Sequence, residues 1–149
     1  CVLEKKNHGS FKTNGIIHNY LLAWNYWRKT AKSWPSLTRK EAEFYRSIIE
    51  KIGDVPAVFT SIAQLLNEIG SIFLKDGIYW LTELIEKNKH NQLGPHTVNY
   101  TERYIRKYIS SERPTVRKDC KVKDLVLEIL NFLVEKGSVR GYLLREEIL

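Results

Sequence analysis

Methionine is absent from this 149-residue sequence, even at position 1, and cysteine occurs only as Cys1 and Cys120. A chain that opens without an initiator, a cap or the apolar core of a signal peptide is expected to be a segment of a longer polypeptide. Two cysteines do not make a disulfide framework, so a reducing compartment, the cytoplasm, is the expected setting. The eight glycines are scattered. Neither GxxxxGKS, GxxxxGKT nor GxGxxG occurs, which excludes a phosphate-cradling loop within these residues. His8, His18, His90 and His96 fall into no HxxxH or HExxH spacing, and no CxxC pair exists, so no metal site and no cofactor are expected. There is no GxSxG elbow for a serine nucleophile. Cys120 lies in the basic run RKDCKVK, where cations lower a thiol pKa, but the same position reads as the ordinary start of a helix. No run approaches the ~18 consecutive apolar residues of a membrane span. No stretch alternates with period two between turn residues, so no sheet is expected.

What is present is helical patterning. The stretch from Asp54 to Lys87 holds two apolar stripes with almost no connector. Val58, Ile62, Leu65, Leu66 and Ile69 recur on one face, and Ile78, Leu81, Leu84 and Ile85 on the next, at the i, i+3, i+4, i+7 spacing of an amphipathic helix. Phe59, Ala63, Phe73, Leu74, Tyr79 and Trp80 widen these stripes, which predicts a central pair covered on two sides. Residues 1–15 read as a polar N-terminal arm and 16–149 as one helical domain, a size that buries a full core unaided. A first helix is predicted from Ile16 to Ser33, ended by Trp34-Pro35. Thr38-Arg39-Lys40-Glu41 is a capping box for the second, with Gly53 expected in the left-handed conformation at its close. Pro56, Asp76, His96, Asp119 and Ser138 mark further starts, with Asp76, Asp119 and Ser138 as caps. Ser111 to Pro114 is expected to stop the helix that begins at His96.

The predicted starts fall near residues 38, 56, 77, 97, 119 and 138. Taken two at a time they repeat about every 40 residues, each unit holding two helices. With the apolar pattern of LLNEIGSIFLKDGIYWLTELIE, this spacing resembles HEAT or armadillo units over residues 38–149. The texture from Trp24 to the closing LREEIL also resembles the helical-repeat portion of some large bacterial NTPases. The expected fold is all-α: about seven helices in antiparallel pairs, either a HEAT-like solenoid fragment or a compact bundle.

Charge is uneven. The formal net charge is +7, and residues 103–123 alone carry eight Lys/Arg against two acids. Arg103, Arg106 and Lys107 recur along one side of a helix, and Arg113, Arg117, Lys118, Lys121 and Lys123 follow. Tyr104 and Tyr108 interleave with them. Cations interleaved with aromatics are the pattern of a phosphate-binding strip. The other reading puts the tyrosines in the core at i, i+4 and leaves the cations as a solvated face or a dock for an acidic partner. Tyr26 and Trp34 are candidate interface aromatics, whereas Trp24 and Trp27 suit the core. Paired acids such as Glu83/Glu86 and Glu146/Glu147 fall on predicted solvated faces, without the apolar surroundings that tune a catalytic carboxylate. The expectation is therefore a non-catalytic helical-repeat interaction or scaffold module with a protein partner and no membrane. A nucleic-acid-binding helical domain is the alternative.

Overall fold

The computed structural model describes residues 39–68 and 74–149. The predicted arm 1–15, the helix over 16–33 with Tyr26 and Trp34, and Thr38 of the capping box lie outside the described residues. The described chain is helical, with no strand: α1 (Arg39–Ile52), α2 (Pro56–Glu68), α3 (Leu74–Lys87), α4 (Pro95–Ser111), α5 (Arg113–Lys118), α6 (Cys120–Glu135) and α7 (Val139–Ile148). None of these helices is long and apolar enough to cross a membrane.

Each helix follows from its sequence. In α1, Tyr45, Ile49 and Ile52 repeat at helical spacing and are buried. In α2 the buried set runs from Val58 to Leu66, and only Pro56, Ala57, Thr60, Gln64, Asn67 and Glu68 escape full burial. Asp119 caps α6, its Oδ1 accepting from Lys121 N at 3.0 Å and Val122 N at 3.2 Å. That helix closes on Gly137, whose φ of 86° lets Gly137 N reach Val134 O and Ser138 N reach Leu133 O. Ser138 Oγ then accepts from Gly141 N at 2.9 Å and starts α7.

Two local expectations are corrected, and a third, the helix stop at Ser111, holds with an addition. Gly53 is not left-handed; Gly137 is the only positive-φ glycine among the described residues. Gly53 is needed for space instead: a β-carbon there would overlap Ile49 O and lie 3.1 Å from Lys87 Cδ. Asp76 is not a cap, because α3 begins two residues earlier and holds Asp76 in its first turn. The break after Ser111 is not a plain loop. Pro114 suits a first helical turn, and Val116 is buried, so residues 113–118 form α5.

The helices stack in two layers. Apart from the short α5, extensive packing joins each described helix to the next and to the next but one. This places α1, α3 and α6 in one layer and α2, α4 and α7 in the other. Contacts between side chains and neighbouring helices fix their directions. Lys87 Nζ, at the end of α3, donates to Ile49 O (2.8 Å) and Glu50 O (2.7 Å) near the end of α1, so these two run parallel. Lys121, opening α6, sits over the ring of Tyr79 near the start of α3. The Thr60 and Thr97 hydroxyls meet near the starts of α2 and α4. Ser138 Oγ donates to Glu102 Oε1 at 2.8 Å, aligning α7 with α4. Helices within a layer are thus parallel, and successive helices, which change layer, run antiparallel.

The core lies between the layers. Leu66 and Leu81 sit inside it, 1% and 0% exposed. The centre is shared more widely than the Asp54–Lys87 stripes alone imply, because α4 contacts α2, α3, α5, α6 and α7. Its inward face includes Thr97, Thr101, Tyr104 and Tyr108, polar-tipped residues that weigh little in an apolar pattern. The Thr101 hydroxyl satisfies itself on Thr97 O at 2.8 Å.

Candidate docking surface

The basic strip begins on the outward side of α4. Arg103, Arg106 and Lys107 are exposed, together with Asn99 and Ser110. The tyrosines between them are not on this surface. Tyr104 and Tyr108 are each 1% exposed, because they complete the inward stripe with Thr97, Thr101, Ile105 and Ile109. Burial pushes the Tyr104 hydroxyl far above its ordinary pKa, with Tyr108 and Asp76 adding to the shift. Tyr108 is raised as well, mainly by burial and then by Glu112, Asp119 and Tyr79. Neither ring is free to stack on a base.

Beyond α4 the strip turns a corner and divides. Val116 anchors α5 in the core, leaving Arg113, Arg117 and Lys118 exposed. Arg113 and Arg117 join Lys123 around a cavity of about 90 Å³ whose apolar wall is Ile109, Val116 and Ile148. Glu147 of α7 enters the same cavity and pairs with Arg113, Nη2 to Oε1, at 2.9 Å. Lys121 points elsewhere: its Nζ lies 5.7 Å from the Tyr79 ring centre, toward α3. Of the seven sequence candidates, Arg113 and Arg117 share a cavity. Arg103, Arg106 and Lys107 share a helix side, Lys118 stands exposed on α5, and Lys121 is drawn off. Lys123 was part of the run but not singled out, and Glu147 was read as solvated. The pairing of Glu147 depends on α7 folding back beside α5, which helical spacing alone does not reveal.

Two other surfaces complete the picture. A groove of about 780 Å³ runs along the α1, α3, α6 layer and is lined by Asp76, Glu83, Glu86 and Glu128 as well as Arg46 and Lys87. Burial, then the nearby Glu86, raises the Glu128 carboxyl above its ordinary pKa. Lys87 spends its charge on the α1 carbonyls and on Glu83 at 3.6 Å. The third surface is α7. Every exposed large hydrophobic among the described residues lies on or beside it: Val139 (74% exposed), Tyr142 (47%), Leu143 (61%) and Leu149 (69%). Its attachment is partly polar, with Arg145 Nη1 donating to Asn131 Oδ1 at 3.0 Å while Arg145 Nε is buried without a partner.

Cys120 is an exposed free thiol at the start of α6. No group of three or more His, Cys, Asp or Glu among the described residues is placed to hold a metal. His90 and His96 are exposed, and His96 stacks on Tyr100 with ring centres 6.4 Å apart. Asn99-Tyr100-Thr101 matches the Asn-X-Thr pattern of a glycan acceptor, but it lies within α4 with Thr101 buried and not in a surface loop. No protein-family profile matches the chain, and no curated protein matches it.

Proposed function

We propose that this chain is a non-catalytic helical-repeat interaction module, a segment of scaffold in a larger protein or complex. The observation that carries this reading is the packing order. The described helices pack mainly against near neighbours in two layers, which supports a stack of repeat units in which each buries its face against the next. Collection of the exposed large hydrophobics on and beside α7 supports a contact-making face there. Nucleic-acid binding through Arg103, Arg106, Lys107, Arg113, Arg117, Lys118 and Lys121 is the competing reading. It is favoured by their exposure and weakened by the burial of Tyr104 and Tyr108 and by the carboxylate of Glu147 among the cations.

The test is affinity capture from cell extract with the wild type and the double variant Val139→Asp/Leu143→Asp, each with and without nuclease. Both substituted residues are exposed, so the variant keeps its stability within about 0.5 kcal/mol. The module reading expects a discrete protein, retained after nuclease and lost from the variant. Capture abolished by nuclease contradicts it.

A further inference from the structure

The corner where α4, α5, α6 and α7 meet combines three properties. It has an excess of cations, an apolar wall, and a carboxylate already seated in it. Arg113, Arg117 and Lys123 line the cavity, and Glu147 answers only Arg113. Arg117 and Lys123 have no carboxylate partner among the described residues. Glu147 therefore shows what fits here, a carboxylate held by a guanidinium in a cavity that aliphatic side chains also line. At 44% side-chain exposure it sits at the rim, where an incoming acid can compete for Arg113.

We infer that this corner is a docking site for an acidic peptide segment that carries an apolar side chain beside its carboxylates. The inference rests on the interaction-module reading and names the chemistry of the partner. Charge complementarity selects an acidic ligand, and the half-buried Ile148, backed by the buried Ile109 and Val116, offers an aliphatic contact that a phosphodiester backbone has no group to use.

The experiment is a fluorescence anisotropy titration of the full chain with three labelled probes. One is a ten-residue Asp/Glu peptide with a central leucine, one is its Asn/Gln counterpart, and one is a twelve-nucleotide oligothymidylate. Arg117→Glu/Lys123→Glu is compared with Arg103→Glu/Arg106→Glu, which carries the same charge change outside the corner, and circular dichroism checks that both fold. The acidic peptide should bind the wild type, the amide peptide should bind ~10-fold more weakly, and the corner variant should lose ~10-fold where the α4 variant loses ~3-fold or less. Glu147→Gln should tighten peptide binding by releasing Arg113. Equal losses in the two charge variants overturn the corner as the site but leave the module reading standing. No peptide binding by the wild type has the same consequence. Tighter binding of the oligonucleotide, lost in the corner variant, overturns both readings.

Discussion

Gly77 and Tyr104 share one space. A β-carbon on Gly77 would overlap the Tyr104 hydroxyl, come within 2.6 Å of Cζ, and lie 3.1 Å from Leu66 Cδ2. Glycine inside α3 thus lets a buried tyrosine of α4 reach across to the layer of α3, and α2, α3 and α4 close around that contact. Gly77→Ala gains up to ~1 kcal/mol of helix propensity. It forces a rigid, fully packed side chain to move, which costs ~1–3 kcal/mol. The expected net result is a loss of stability in urea denaturation. A stabilised variant would mean that Tyr104 can retreat freely.

The ends of α1 and α3 are joined through side-chain amides. Asn88, 2% exposed, donates from Nδ2 to Gly53 O at 2.7 Å and to Leu84 O at 2.8 Å. Asn91 Nδ2 reaches Asp54 O at 2.7 Å. Asn88→Ala leaves a buried carbonyl without its donor and should cost ~1–3 kcal/mol. Asn91→Ala, at an exposed bond, should cost less than half as much. Equal small losses would show that water replaces the Asn88 amide without penalty.

Much of this fold was legible because apolar spacing and end signals agree. Asp119 and Ser138 were readable as caps, and both act so. The burial of Leu66 and Leu81 follows from spacing alone. Less was legible where a residue's reason is tertiary. Gly53 looked like a left-handed turn glycine, yet it is needed for space, against Ile49 O of α1 and also against Lys87, 34 residues on. The site was less legible still. Arg113 and Glu147 are 34 residues apart and meet only because α5 and α7 both pack beside α4 and α6. The helix α7 concealed its exposed apolar set because its apolar residues do not gather on one face, so no periodicity flagged them.

Alkaline pH should destabilise the chain through its buried tyrosines. The Tyr104 and Tyr108 hydroxyls are raised above the ordinary value of 10.0, chiefly by burial. Above about pH 10 the unfolded state releases these protons and the folded state keeps them. The unfolded state then binds fewer protons, so stability is unaffected at pH 8 and falls as pH climbs past 10. Tyr104→Phe removes one of the two groups and should flatten this alkaline limb, measured as urea midpoints at pH 8 and about pH 11. An unchanged limb would contradict the burial of Tyr104.

Whether the chain is a protein-interaction module or a nucleic-acid binder is most directly tested by titrating labelled RNA and DNA at about 0.15 M salt. The wild type is compared with Arg106→Glu/Lys107→Glu/Arg113→Glu/Lys118→Glu, all four positions being exposed. Exposed charges contribute little to stability, so the variant should fold. The interaction-module account predicts wild-type affinity no better than the roughly 10⁻⁴ to 10⁻⁶ M of non-specific binding, similar for every sequence and falling steeply with salt. Nanomolar binding at that salt, abolished in the folded quadruple variant, would contradict it.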